Sequence, residues 1–329
     1  MESKLNADKY RFLDIMKFVM AIVVVAIHTR PEISFNSAFI RQNFEVIYSL
    51  AVPFFFIASG FLLFRKVEFP LNADGSKRIL GYLSRICRLY LLWTLIYLPL
   101  AIYGFWMEGI PPLKAAAVFL RNILLVGENY MSWPLWYLLA VIVAVGIIYS
   151  LLKLKVSKNG VLIIGVLMAL VGVGLDYCHE HSLMSPMTDI YFSLFLNTRN
   201  GIFVGFLYVA LGMFCSTLQR VPTKVVVLFF LIGCVAEFMA LPLANAFIVL
   251  AMFVATISLQ IRTSTDTNKL RLMSSVIYFC HMIYVAFFVL LCDIASGCLL
   301  FTIVVFASIL TGLLFTSITE SRFVKQFFA

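Results

Sequence analysis

Three ionisable side chains lie within one apolar stretch near the start of the chain, Phe12–Thr29. They are Asp14, Lys17 and His28, and an ionisable group at membrane depth is costly enough to indicate a functional site. On a helix, the eleven-residue step from Lys17 to His28 is three turns plus roughly 20°, so both share one face, about 16 Å apart in height. Asp14 falls on the same side. The stripe predicts a polar face turned toward a cavity or other helices. The alternative is an Asp14–Lys17 pair near the inner interface, with His28 at the outer one.

A second candidate set is basic. Arg85 and Arg88 are three residues apart and therefore stand on one helical face. Two guanidinium groups at this spacing suit a di- or triphosphate, because arginine binds phosphate oxygens bidentately. The alternative is retention charge and contact with anionic lipid, which is sufficient for the nearby Arg65, Lys66 and Lys77.

Three further motifs carry weaker signals. Ser59 precedes a glycine and a phenylalanine at the end of an apolar run, where close helix packing is the favoured interpretation and a hydroxyl bonded across helices is the alternative. Trp136 closes a Trp-Pro-Leu-Trp run, where an interfacial aromatic belt is the default and the wall of an outer vestibule is the alternative. Tyr278 and His281 lie in a later apolar run, where a histidine is usually part of a hydrogen-bonded structure and lining a pore is the alternative.

The elements that must position these residues are membrane helices. Of the 329 residues, 63% are hydrophobic and 12% are charged, against about 25% charged in a soluble domain. We predict an all-α integral membrane protein with about ten transmembrane helices in one domain over residues 1–329, and no separate soluble domain. The predicted spans are 12–29, 45–64, 84–105, 134–153, 160–175, 201–218, 223–241, 244–261, 275–292 and 297–316.

The positions of the basic residues predict the orientation. A net charge of +9 does not indicate nucleic acid binding here, because lysine and arginine gather at alternate loops. With the N-terminus inside, the cytoplasmic segments hold 19 of these residues and the outer segments hold five. This asymmetry places both termini in the cytoplasm.

One outer segment, 176–200, is expected to be a long loop, and such loops usually determine specificity for an acceptor. It contains His179-Glu180-His181, which invites a metal interpretation. The i,i+2 spacing on a loop without a third ligand nearby argues against it, so we predict no metal site.

Taken together, the motifs resemble the membrane acyltransferase-3 superfamily, the bacterial integral-membrane O-acyltransferases. Family members most often carry arginine at the position of Lys17, and lysine keeps the charge without the bidentate geometry. The runs VAIHTRPEISF and AVPFFFIASGF look especially like the membrane domain that precedes the racemase domain in vancomycin-resistance serine racemases, although we see no racemase domain in this sequence. The matching motifs are, in the expected order, Lys17 with His28, Phe54 through Phe61, Arg85 with Arg88, Leu135 through Leu138, and Tyr278 with His281.

The resemblance implies transfer of an acyl group, with acetyl favoured, from cytoplasmic acyl-CoA to a hydroxyl of a cell-envelope saccharide or similar acceptor, in the bacterial inner membrane. His28 would act as the general base, and Lys17 with Asp14 would form a polar floor that orients the thioester. The implied catalytic residues are His28, Lys17 and Asp14, the implied donor-binding residues are Arg85, Arg88 and Ser59, and the implied substrate- or pore-lining residues are Trp136, Tyr278 and His281.

Two other classes of function stay open. The first is a transporter of a small polar solute such as L-serine, which the racemase-linked relatives suggest. Such a carrier has no need of phosphate ligands at Arg85 and Arg88. The second is a structural membrane subunit, which would leave the ionisable residues of the first span unexplained.

Overall fold

The computed structural model describes residues 10–218, 221–259 and 267–317, without the side chain of Asn268. Within these ranges the chain is helical and has no strand, which confirms the predicted all-α class. Six basic residues used for the predicted orientation lie outside the described residues: Lys4, Lys9, Arg220, Arg262, Arg322 and Lys325. The α-helices are α1 (Arg11–Thr29), α2 (Ala38–Phe64), α3 (Ala73–Met107), α4 (Pro112–Arg121), α5 (Trp136–Lys153), α6 (Lys158–Glu180), α7 (Ser185–Phe195), α8 (Val204–Cys215), α9 (Thr223–Phe238), α10 (Ala244–Ser258), α11 (Thr267–Leu290) and α12 (Cys298–Ser317).

Seven helices of the described chain are long and apolar enough to cross a bilayer, so the protein is a multi-pass membrane protein. They are Arg11–Thr29, Ala38–Phe64, Ala73–Met107, Trp133–Lys153, Lys158–Glu180, Lys269–Leu290 and Cys298–Ser317. The remaining three predicted spans coincide with α8, α9 and α10, which have 12, 16 and 15 residues. A spanning helix needs about 17–25 residues. A count of ten spans, and the side on which the termini lie, therefore stay predictions.

The chain forms two compact units that divide within α2, between Phe55 and Phe56. Unit 1 comprises Met1–Phe55 and Gln219–Ala329; in it α1 packs against α11 and α12, and α9 packs against α10. Unit 2 comprises Phe56–Leu218; in it α8 packs against α5 and α6, and α3 packs against α5. The single domain expected from the sequence stays a prediction.

Two glycines allow α2 and α8 to touch through their backbones in unit 2. A Cβ built on Gly60 would lie 2.2 Å from the carbonyl oxygen of Val209, and one built on Gly212 would lie 2.1 Å from the carbonyl oxygen of Ile57. Ordinary van der Waals contact begins at 3.4 Å, so no larger residue fits unless the helices separate. This geometry agrees with the packing interpretation of the glycine that follows Ser59.

The expectation of a long loop over 176–200 was wrong. Helix α6 continues to Glu180, and α7 occupies most of the remainder. Ring stacking explains why this aromatic segment folds: His179 stacks on Phe192 at 3.9 Å between ring centres, and Tyr191 stacks on Phe195 at 4.9 Å. His179 therefore stands in the last turn of a helix and packs against an aromatic ring.

Candidate active site

The two histidines expected near the site lie side by side in unit 1. Helix α1 carries His28 and α11 carries His281, with ring centres 5.3 Å apart and planes tilted by 34°. The two helices pack along each other because both bury apolar side chains completely, among them Ala21 and Val25 on α1 and Val276 on α11. Apolar packing thus holds a pair of imidazole rings together.

The hydrogen bonding of His281 defines its tautomer. Its Nδ1 lies 2.9 Å from the carbonyl oxygen of Ile277, which can only accept, so Nδ1 carries the proton. Nε2 is then an acceptor, and it makes no hydrogen bond to the residues that the structure describes. His281 is completely buried, Tyr278 is also buried with its ring 6.4 Å from that of His281, and His28 is half-buried.

The other end of α1 carries charge. Asp14 Oδ1 lies 3.6 Å from Nε of Arg271, which stands near the start of α11. Lys17, half-buried on α1, lies one turn further along the helix. Because α1 is one uninterrupted helix, the shared face of Lys17 and His28 follows from its geometry.

A buried carboxylate follows His28 in the chain. Glu32, in the short 3-10 helix Pro31–Ser34, is fully buried and accepts hydrogen bonds from Tyr48 Oη at 2.5 Å and Arg30 Nε at 3.0 Å. Burial alone would raise the pKa of Glu32, but the donors Tyr48 and Arg30 outweigh burial and hold this pKa below its usual value. The paired charge anchors the chain where it leaves α1.

Three hydroxyl groups meet in unit 2. Ser59 Oγ lies 2.7 Å from the hydroxyl of Tyr137, and Tyr82 on α3 also interacts with Ser59 through its hydroxyl. The ring of Tyr82 in turn lies under the guanidinium of Arg85, 5.3 Å from ring centre to Cζ. Tyr82 therefore connects Ser59 to Arg85, two residues that the sequence assigned to one donor-binding set.

The arginine pair is open to ligands. Arg85 and Arg88 are both exposed on α3, and neither makes an ion pair with a described residue. Arg88 makes one long contact, from Nε to the carbonyl oxygen of Ser84 at 3.4 Å. Two exposed guanidinium groups on one helical face can bind a polyphosphate.

Trp136 is packed at the start of α5. Its ring lies 5.7 Å from that of Phe56, which also contacts Tyr137 at 4.7 Å. Gly127, with φ of 90°, brings the backbone so close that a Cβ there would lie 2.6 Å from Cα of Trp136. The surroundings position the ring firmly, and they are compatible with both interpretations of this tryptophan.

Comparison with known proteins decides the family. The sequence model of the acyltransferase-3 family, which describes an acyltransferase domain, matches residues 10–317 of this chain. The chain belongs to the acyltransferase-3 family.

A serine/alanine racemase of Enterococcus gallinarum is 30% identical over 234 residues, which cover 69% of this chain and 32% of that protein. An amino-acid racemase of Enterococcus faecalis is 29% identical over 218 residues, covering 64% of this chain and 28% of that protein. This chain thus spans about a third of the length of these relatives. No solved structure matches it.

In this acyltransferase-3 protein the expected site residues fall into two groups. The imidazole pair and the charged end of α1 belong to unit 1, and the hydroxyl and arginine cluster belongs to unit 2. Asp14, Lys17, His28, Tyr278 and His281 form the first group, and Ser59, Arg85, Arg88 and Trp136 form the second.

Sequence reasoning missed several partners of these residues. Arg271 and Tyr82 each contact an expected site residue, yet neither was singled out, and Tyr137 was included only within the Leu135–Leu138 motif. A signal existed for Tyr82, which precedes Arg85 by three residues and so shares its helical face. The sequence signal for Glu32 was weaker: it is a carboxylate four residues after His28, at a membrane boundary.

Proposed function

We propose that this protein moves an acetyl group, or another acyl group, from its CoA ester to a hydroxyl of a cell-envelope saccharide or similar acceptor. Family membership carries the general statement that the chain is a membrane acyltransferase. The observation that supports transfer to oxygen is the half-buried imidazole of His28, held 5.3 Å from His281. An imidazole can remove a proton from an alcohol near neutral pH.

In the proposed reaction, His28 takes the proton of the acceptor hydroxyl while the hydroxyl oxygen attacks the carbonyl carbon of the thioester. A C–O bond forms and the C–S bond breaks, and the CoA thiolate leaves and takes the proton back from His28. Lys17, with Asp14 beside it on the same helix, lies about 16 Å in height from His28. The two residues are proposed to form a polar floor that orients the donor thioester.

The donor is proposed to bind through unit 2. Arg85 and Arg88 would hold the CoA phosphates, which is supported by their exposure and by their spacing on α3. The Tyr82 ring below Arg85 limits the rotamers of that guanidinium, and less ordering entropy is then lost on binding. Ser59 is proposed to contact the donor, and Trp136 and Tyr278 to line the path of the substrates. His281, which was expected to line that path as well, has no exposed surface and lies beside His28 instead.

The proposed location is the bacterial inner membrane, with both termini in the cytoplasm. The asymmetric distribution of lysine and arginine supports this orientation. Acyl-CoA would then enter from the cytoplasm, and the hydroxyl acceptor from outside. The proposed partners are the lipid bilayer, the acyl-CoA donor and the extracytoplasmic acceptor.

The test supplies membranes containing the protein with [14C]acetyl-CoA and measures label in the cell-envelope fraction. We expect His28→Ala to lower the transfer rate by about 10²–10⁴-fold, the usual contribution of a general base. We expect Arg88→Ala to raise the KM for acetyl-CoA by about tenfold or more, because a hydrogen bond to a charged group contributes about 1.5–3 kcal/mol. Mass spectrometry of surface glycans with and without the gene would then identify the acceptor.

Matched controls separate these effects from a general loss of fold. His181→Ala removes an exposed histidine and Lys77→Ala an exposed basic residue outside either group, and both variants are expected to keep the wild-type rate and KM. Melting in detergent checks that all variants fold. Unchanged transfer by both His28→Ala and Arg88→Ala would refute the assignment.

Transport of a small polar solute such as L-serine is the second candidate. It is supported by the names of the two racemase relatives, one of which refers to serine and alanine. Proteoliposomes would be loaded with buffer and given labelled L-serine in the absence of acetyl-CoA. Uptake by the wild type that survives Arg88→Ala would favour transport over acyl transfer, because a serine carrier has no phosphate to bind.

A further inference from the structure

A buried hydrogen-bond acceptor in unit 1 has no donor within the described residues. It is Nε2 of His281, in a side chain with no exposed surface. Leaving a buried polar atom unpaired is costly, and native proteins pair the great majority of such atoms. The carbonyl oxygen of Ile277 holds Nδ1–H, so the ring offers Nε2 as an acceptor and nothing else. A donor that reaches this atom when the protein works would remove the penalty.

The ring of His28 is placed to supply that donor. Two imidazoles joined by an N–H···N bond of about 2.9 Å have centres roughly 5.1 Å apart, because each ring nitrogen lies roughly 1.1 Å from its ring centre. The observed separation between the centres of His28 and His281 is 5.3 Å, with a tilt of 34°. The observed spacing of the two rings therefore matches that of a hydrogen-bonded imidazole pair, with helices α1 and α11 packed as they are.

Access to the two rings differs. His28 is half-buried, whereas His281 has no exposed surface. In the proposed reaction the acceptor substrate meets His28, and His281 can act only through its neighbour. We infer that His281 is a positioning residue for His28: its Nε2 accepts a hydrogen bond from one ring nitrogen of His28 and so leaves the other ring nitrogen unprotonated toward the acceptor hydroxyl. This inference rests on the proposed function, in which His28 is the general base, and it adds the residue that orients that base.

The resulting chain of hydrogen bonds runs from the carbonyl of Ile277 through His281 and His28 to the substrate. A base oriented by a third group is the general arrangement of nucleophile-activating sites. When His28 takes the proton of the hydroxyl, its ring becomes cationic, and Nε2 of His281 stabilises the N–H that faces it. The proton then passes to the CoA thiolate, so both rings return to their starting state and no other reactant is needed.

Three substitutions of His281 test the inference. Glutamine places an amide oxygen near the position of Nε2, asparagine places an amide near Nδ1 only, and phenylalanine fills the volume of the ring with neither nitrogen. The rate is measured with [14C]acetyl-CoA and envelope membranes that contain the acceptor. We expect His281→Gln to keep kcat within about tenfold of wild type, and His281→Asn and His281→Phe to lose about 10²-fold, the lower end of a base's contribution. The KM for acetyl-CoA should stay within about twofold in all three, because His281 contacts neither substrate.

A double substitution gives a readout that a merely structural residue would not move. Residues that act as one unit lose activity non-additively, so adding His281→Phe to His28→Ala should leave the residual rate of His28→Ala unchanged. A further loss of tenfold or more would mean that the two histidines act separately, and would overturn the inference.

The remaining outcomes are also decisive. Wild-type kcat in both His281→Asn and His281→Phe overturns the inference, and so does a His281→Gln variant as slow as His281→Phe at equal Tm. Should His281→Phe fail to fold, the kcat values of the other two variants decide. A His281→Asn variant faster than His281→Gln overturns the inference. A wild-type protein that transfers no label refutes the proposed function instead, which keeps the two failures distinct.

Discussion

Replacing either glycine at the α2–α8 contact with alanine tests the packing of unit 2. Gly60→Ala sets a methyl group 2.2 Å from the carbonyl oxygen of Val209, and Gly212→Ala sets one 2.1 Å from that of Ile57. Both obstacles are backbone atoms of a packed helix, so no side chain can rotate away. The helices have to separate until the contact exceeds 3.0 Å, because real Cβ contacts essentially never lie below that distance.

The expected cost follows from this geometry. Overpacking a well-packed interior usually costs about 1–3 kcal/mol, and a backbone obstacle places these sites at the upper end. Alanine has a higher helix propensity than glycine, which offsets at most about 1 kcal/mol of this destabilisation. A net loss of about 2 kcal/mol should lower Tm by up to roughly 4–8 °C, because 1 kcal/mol shifts Tm by about 2–4 °C in proteins of about 150–250 residues and by less in a larger protein.

The assay is thermal unfolding of the purified protein in a mild detergent, followed by circular dichroism. Gly146→Ala, on α5, is the matched control, because a Cβ at Gly146 would meet nothing within 4 Å. That substitution should leave Tm unchanged or raise it slightly. Equal Tm values for wild type, Gly60→Ala and Gly212→Ala would refute the close backbone contact between α2 and α8.

Two further predictions concern hydrogen bonds of the two units. Ser59→Ala and Tyr137→Phe should each lower the free energy of unfolding by about 1 kcal/mol, because each removes the 2.7 Å hydrogen bond between the two hydroxyls. The double variant removes the same bond only once, so its loss should be about 1 kcal/mol smaller than the sum of the two single losses. Additive Tm losses would contradict this bond. Glu32→Gln should lower Tm at pH 7, because the charged acceptor of Tyr48 and Arg30 is lost. Since the pKa of Glu32 is lowered in the folded protein, the stabilisation is present above its usual value of 4.5 and is lost as the pH falls below it, so the two Tm curves should converge in acid. Parallel Tm curves from pH 7 to pH 3 would contradict this role.

Features that depend on local periodicity could be derived from the residues alone. Long apolar runs require helices in a bilayer, because no other element of this kind satisfies its own backbone hydrogen bonds there. The shared face of Lys17 and His28 follows from the helical repeat once Arg11–Thr29 is one helix. Arg85 and Arg88 on one face of α3 follow in the same way.

Local patterns were less informative where tertiary contacts stabilise a segment. The stretch after residue 176 reads as a loop by its mixed polarity, but stacked rings such as His179 on Phe192 make it helical. Hydropathy predicted full spans at α8 and α9, whose helices have only 12 and 16 residues. An apolar run shows that a segment is buried, but it does not show where the helix begins and ends.

What the sequence determined by itself is the class of the molecule and the faces of single helices, since both depend on residues a few positions apart. Only the tertiary structure decided which groups meet. His28 meets His281, Asp14 meets Arg271, and Ser59 meets Tyr137, each across long separations in the chain. Such partners are selected by how whole helices pack, and a helical repeat shows which face a residue occupies but not which helix that face will contact.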